Sequence, residues 1–195
     1  MDKTVTKITV QNNEGTKVHN YNNSKLAKVD ITGKELNNST VIIEYRIAIT
    51  NEGNVAGYAK NIVDYLPKEL SFNSELNTDW YLGNDGYVYT TSLKDTLINP
   101  GETKELKLTL TKKMTETNTG IINNNSEIKE DYNEKGIQDR DSTPGNNAQS
   151  EDDISSADVI ISVKTGATVI YTIIVFIALI VLAVGIYVIL RFIKK

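Results

Sequence analysis

Thr40-Val-Ile-Ile-Glu-Tyr-Arg-Ile-Ala-Ile-Thr50 is the stretch that decides the fold. Val41, Ile43, Tyr45, Ile47 and Ile49 alternate with Ile42, Glu44, Arg46, Ala48 and Thr50. Successive side chains of a strand point to opposite faces, so a period of two with one apolar face predicts a half-buried antiparallel strand. Asn51-Glu-Gly-Asn54 turns the chain, and Gly57 to Tyr65 returns as a second strand. Pro67 ends it, because proline has no N–H to give to a ladder.

The same pattern extends in both directions. Before Thr40, the β-branched run Lys3 to Val10 reads as a strand and Asn12 to Gly15 as a turn. Asn20 to Ser24 is expected to be a polar loop and Leu26 to Ile31 a short strand; His19, the single histidine, is given no role. After Tyr65, Asp79 to Thr91 reads as a hairpin around Gly83-Asn-Asp-Gly86. Lys104 to Lys112 alternates with Leu106, Leu108 and Leu110 inward. Ile121 to Glu130 is a further strand, Asp131 to Asp153 a long polar loop, and Ala157 to Lys164 the last strand. Seven or more short strands with regular turn signals and no helical period predict an antiparallel β-sandwich.

The chain then changes character. Thr165 to Leu190 contains no Asp, Glu, Lys, Arg or His. As a helix this run is roughly 36–39 Å long at about 1.5 Å per residue, enough to cross a hydrocarbon core of about 30 Å with tilt. Arg191, Lys194 and Lys195 come directly after it, so the tail is expected in the cytoplasm and the rest outside. Met1 to Asn20 shows no apolar leader region. An external domain without a leader implies the C-terminal part of a longer surface protein; the other reading is a tail-anchored chain with its domain in the cytosol. The basic flank favours the first. The expected division is 1–35 as N-terminal strands or a join with an upstream module, 36–164 as the sandwich, 165–190 as the transmembrane helix and 191–195 as the basic tail.

Charge is local. Glu127 to Asp158 holds ten acids against three bases. A basic patch suited to phosphates is lacking, so nucleic acid is disfavoured as a partner. Cysteine is absent, which excludes disulfides, thiolate metal sites and cysteine nucleophiles.

Five segments carry a resemblance: Thr50-Asn-Glu-Gly-Asn-Val55, Ile62-Val-Asp-Tyr-Leu-Pro-Lys-Glu-Leu-Ser-Phe72, Asn99-Pro-Gly-Glu102, Asp139-Arg-Asp-Ser-Thr-Pro-Gly-Asn146, and Glu151-Asp-Asp153 followed by Ala157. In this order they resemble the "conserved repeat" surface domains of Gram-positive bacteria, a family of unknown function. The resemblance covers roughly residues 40–164. It implies an immunoglobulin-like sandwich serving as a stalk module in cell-surface proteins and adhesins. Ser162-Val-Lys-Thr-Gly166 resembles a sortase signal in its Thr-Gly but has neither Leu nor Pro, so a retained anchor is expected.

Two constellations bear on function. Asp139, Asp141, Asn146, Glu151, Asp152 and Asp153 form an acidic loop that reads either as solvated or, with the resemblance, as a structural calcium site. Calcium takes six to eight oxygens. It is not an EF-hand, because the sixth position from Asp139 is Pro144 and the twelfth Ser150. If Leu82 pairs with Tyr87, Trp80 faces Tyr89, and Trp80, Tyr87 and Tyr89 make an aromatic platform for a sugar or a host or cell-wall ligand. The other reading of these rings is core packing. A covalent Lys–Asn crosslink leaves no sequence signature, so no pair is singled out. The chain reads as a membrane-anchored extracellular spacer, structural or adhesive and without catalysis. The alternative is a carbohydrate- or protein-binding module using the aromatic hairpin.

Overall fold

The structure is a computed structural model describing residues 1–115, 117–138, 141–164, 175–180 and 182. Two sheets face each other. One, of five strands, has the order β2-β1-β4-β9-β6, built from Gly15–Ser24 (β2), Asp2–Asn12 (β1), Thr40–Thr50 (β4), Thr103–Lys113 (β9) and Ser71–Phe72 (β6). The other, of six, has the order β3-β11-β10-β5-β8-β7, built from Leu26–Thr32 (β3), Ile154–Lys164 (β11), Gly120–Tyr132 (β10), Tyr58–Tyr65 (β5), Val88–Thr90 (β8) and Tyr81–Leu82 (β7).

β4 sits in the middle of its sheet, paired along its whole length with β9 and over most of it with β1. Val41, Ile43, Tyr45, Ile47 and Ile49 all enter the core, as the alternation predicts. They meet Val29, Ile31, Ile62, Val88, Ile122, Val159 and Ile161 from the facing sheet. Burying a single side chain of this kind stabilises by about 1.5–3 kcal/mol.

The first 35 residues contribute strands to both sheets. β1 is an inner strand, flanked by β2 and β4, and places Val5, Ile8 and Val10 in the core. The segment expected as a loop, Asn20 to Ser24, completes β2 instead, because β1 offers it a ladder. One pairing departs from an all-antiparallel sandwich: β3 runs parallel to β11. A one-residue link, Lys25, joins β2 to β3, so β3 starts where β2 stops and runs back along the domain. β11 starts at the same pole, and its Asp158 N–H donates to the Lys25 carbonyl at 2.8 Å.

β1 carries a bulge between Val5 and Lys7 that appears in both of its ladders. A bulge adds one residue and shifts the side-chain alternation across it. Lys3 and Val5 therefore share the inner face with Ile8 and Val10.

The expected membrane span, 165–190, lies almost entirely outside the described residues. Residues 175–180 and 182 are helical, with exposed side chains. Among the described residues no helix is long and apolar enough to cross a membrane.

Candidate functional site

The bulge points Lys3 into the space between the sheets, where its side chain is fully buried. It forms an ion pair with Asp64 of β5, which is equally buried. The Lys3 ammonium donates to Ser126 Oγ at 2.9 Å, and that hydroxyl donates to Asp64 Oδ2 at 2.7 Å. Ser126 lies opposite Asp64 in the β10–β5 ladder, which fixes the geometry. The Lys3 ammonium also sits 4.7 Å from the centre of the Tyr45 ring. Burial pushes the Lys3 amine below its ordinary range, and Asp64 opposes that shift.

Asn124 completes the cluster. It lies two residues before Ser126 on the same inner face of β10, about 7 Å along the strand, and is fully buried. Neither its amide nitrogen nor its carbonyl oxygen has a hydrogen-bond partner. The Tyr45 hydroxyl, beside the Asn124 side chain, also lacks one, and so does Asp64 Oδ1. Burial, then the Asp64 charge, drives the Tyr45 phenol up. An unmade hydrogen bond in a buried place costs about 1–3 kcal/mol per group, so several orphaned atoms around one ion pair call for a chemical explanation. Of these five residues the alternation of β4 marks Tyr45 as inward-facing and Asp64 directly follows the apolar pair Ile62 and Val63, while nothing in the sequence distinguishes Lys3, Ser126 or Asn124.

The acidic loop sits behind this cluster, on the outer side of β10. Glu127, fully buried, accepts from the Tyr65 hydroxyl and from the Asn147 N–H at 2.8 Å. Lys129 donates to the Gly145 carbonyl at 3.1 Å. Glu151 accepts from the Thr143 N–H at 2.7 Å and from Asn146 Nδ2 at 3.0 Å. Of the expected ligand set, Asn146 and Glu151 thus meet each other. Asp141 and Asp152 are exposed, and Asp139 lies outside the described residues. Among the described residues no three His, Cys, Asp or Glu side chains converge on a metal position.

Asp153 is different. It is 5% exposed, and neither carboxylate oxygen has a partner. Burial, followed by the charges of Glu127, Glu151 and Asp152, raises its pKa from 3.8 to about 6. A folded-state pKa above the unfolded one favours the protonated form, so this contribution to stability is complete below pH 4 and lost as pH rises through about 6. The melting midpoint is expected to fall by a few degrees between pH 5 and pH 7.5. In Asp153→Asn that part of the fall is expected to vanish; an unchanged pH dependence would exclude Asp153 as its source.

The hairpin corrects the aromatic platform. Tyr81 pairs with Tyr89 and Leu82 with Val88, one residue away from the expected register. Trp80 therefore turns inward: it is 5% exposed, and its indole N–H donates to the Lys107 carbonyl at 2.9 Å. Tyr81, 49% exposed, takes its place and stacks on Tyr89 at 5.8 Å. Tyr89 donates to Asp85 Oδ2 at 2.5 Å. Its ring lies so close over Gly83 that a Cβ there would come within 2.7 Å of it. Tyr87 packs edge-on against Tyr65 at 5.0 Å. Asn61, Tyr81, Leu82, Asp85 and Tyr89 line a shallow open cleft.

No protein-family model matches the chain, and no curated protein matches it. Among solved structures, the chain is similar to the crystal structure of the Actinomyces fimbrial adhesin FimA. The identity is 14% and the TM-score 0.35, over 62% of this chain and 49% of that one. The chain thus aligns with about half the length of that adhesin.

Proposed function

We propose that the chain is a membrane-anchored, extracellular spacer of a bacterial surface protein, structural or adhesive and without catalysis. Its sandwich is read as immunoglobulin-like, of the Gram-positive conserved-repeat kind. The observation that carries this reading is the position of the two ends. The Met1 amine donates to the Asp152 carbonyl, and the Lys3 N–H to Ser155 Oγ at 2.9 Å, so β1 begins beside the start of β11. β11 then runs 11 residues to the opposite pole, about 36 Å away at about 3.3 Å per residue. A chain that enters at one pole and leaves at the other holds an upstream module at a fixed distance from the segment after Lys164. In this reading residues 165–190 span the membrane, 191–195 lie in the cytoplasm, and upstream modules are carried outward.

The absence of native cysteine makes the test clean. A chain tethered at its N-terminus and at Lys164→Cys is pulled along its long axis. Its sandwich is expected to stay shut and then open in one cooperative step. Gradual lengthening at low force would reject the spacer.

Calcium belongs to this proposal as a stiffener of the connection from β10 to β11. Its support is the unpartnered Asp153 carboxylate, which gains most from a cation at pH 7.5. Millimolar calcium is then expected to raise the melting midpoint of the native chain, and not that of Asp153→Asn, by mass action on the folded state. An unchanged midpoint removes calcium from the reading. A second function, binding of a sugar or a host or cell-wall ligand, is favoured by the stacked Tyr81 and Tyr89 rings beside Asn61 and Asp85.

A further inference from the structure

Lys3, Asp64 and Asn124 place an amine, a carboxylate and a carboxamide fully buried between the sheets, the first two in contact and the third beside the Tyr45 ring that the Lys3 ammonium covers. Each has an unusual feature. The amine is fully buried, in a setting that disfavours its charge. The carboxylate touches that amine and leaves its other oxygen unpartnered. The carboxamide has no hydrogen bond on either polar atom, beside a tyrosine hydroxyl in the same condition. As separate side chains these groups leave four buried polar atoms unsatisfied. As reactants they are a nucleophile, a proton carrier, an electrophile and a donor for the developing oxyanion.

We propose that the folded domain joins Lys3 to Asn124 by an amide bond between Lys3 Nζ and Asn124 Cγ, with Asp64 carrying the proton. Asp64 takes a proton from the Lys3 ammonium, leaving a neutral amine and a neutral acid. The amine lone pair attacks Asn124 Cγ, and the carbonyl electron pair moves onto oxygen, where the Tyr45 hydroxyl donates to it. The attacking nitrogen loses its extra proton, and Asp64 relays protons to the departing amide nitrogen. The tetrahedral centre collapses, the Cγ–Nδ2 bond breaks, and ammonia leaves. One ammonium and one carboxamide become one secondary amide and one ammonium ion, with no change of oxidation state.

The fold supplies the assistance this slow reaction lacks in water. Reactants held in place react at effective concentrations far beyond those reached in solution. Preorganised donors in a water-excluded site stabilise the charge that develops. Ser126 holds the amine and the carboxylate together through two hydrogen bonds. Asn124 is the acyl donor rather than Asp64, because Asp64 is needed as the proton carrier and because a Lys3–Asp64 bond would leave Asn124 orphaned. The product removes the unpartnered Nδ2 donor and neutralises the buried lysine.

The bond would pin β1, near its first residues, directly to β10. It stands apart from the spacer reading, since it is read by mass whether or not the domain bears force. The test is the intact mass of the purified full-length chain, with Lys3→Arg prepared alongside. The native chain is expected to be about 17 Da lighter than its sequence, the mark of lost ammonia. Digestion is expected to yield one branched peptide joining residues 3 and 124. Lys3→Arg and Asp64→Asn are expected to show full mass. Separate, unmodified peptides carrying Lys3 and Asn124 from the folded native chain would overturn the proposal. So would a loss of about 18 Da with a Lys3–Asp64 branch, which is loss of water. Both overturning results are read on the native chain and need no variant to fold.

Discussion

Lys3→Ala is expected to be among the most destabilising single substitutions in this domain. It removes the only cation touching Asp64 among the described residues and leaves a carboxylate buried between two sheets. Breaking a buried ion pair from one side costs about 3–5 kcal/mol, because the remaining charge has lost both water and partner. In the crosslinked domain Lys3 is a neutral amide, and the loss is instead the closure entropy of a loop of roughly 120 residues, about 4–5 kcal/mol by the chain-entropy treatment of crosslinks. Replacing both charges, in Lys3→Met with Asp64→Leu, is expected to recover a loss that comes from a broken ion pair and not one that comes from a lost crosslink. The readout is denaturant unfolding followed by Trp80, the one tryptophan of the chain, which is buried. A loss below about 1 kcal/mol in Lys3→Ala would show that Asp64 is neutral or solvated, contrary to the site described.

Trp80→Ala carries the second large effect. Its ring fills core space beside β9, and its N–H satisfies the Lys107 carbonyl. Truncating a buried tryptophan costs about 3–5 kcal/mol, in lost transfer energy and in the cavity left behind. On a domain of this size each kcal/mol lowers the midpoint by about 2–4 °C. Tyr81→Ala, one residue away, is expected to stay within about 1 kcal/mol, because that ring is largely at the surface. The contrast also separates the two roles open to the hairpin. If it binds a sugar, Tyr81→Ala weakens binding in a domain of normal stability, whereas Trp80→Ala weakens the domain itself. Equal melting losses in the two variants would contradict the register of the β7–β8 pair.

Much of this architecture is legible in the chain because strand periodicity is a local property. The alternation from Val41 to Ile49 names the inner face of β4, and Leu108 and Leu110 name that of β9. The hairpin is legible as a hairpin, yet its register is not. Gly83 to Gly86 is compatible with Leu82 facing either Tyr87 or Val88, and a slip of one residue exchanges Trp80 for Tyr81 at the surface. The packing of Trp80 under β9 decides it.

The buried cluster lies further out of reach. Strict alternation through Lys3-Thr-Val-Thr-Lys-Ile-Thr-Val10 puts Lys3 on the face opposite Ile8 and Val10, in solvent. The bulge between Val5 and Lys7 reverses that. Lys3 then meets Asp64, 61 residues away, and Ser126, 123 residues away. The parallel pairing of β3 with β11 is non-local in the same way.

The sequence by itself thus determined an all-β domain, which strand faces are apolar, the absence of thiol chemistry and the concentration of net negative charge around one connection. Each comes from composition or from a two-residue period. Only the tertiary structure decided which charged residue is buried, which aromatic ring is exposed and which lysine meets which aspartate. Those outcomes depend on a bulge, a register and a sheet order, set by contacts between residues far apart in the chain.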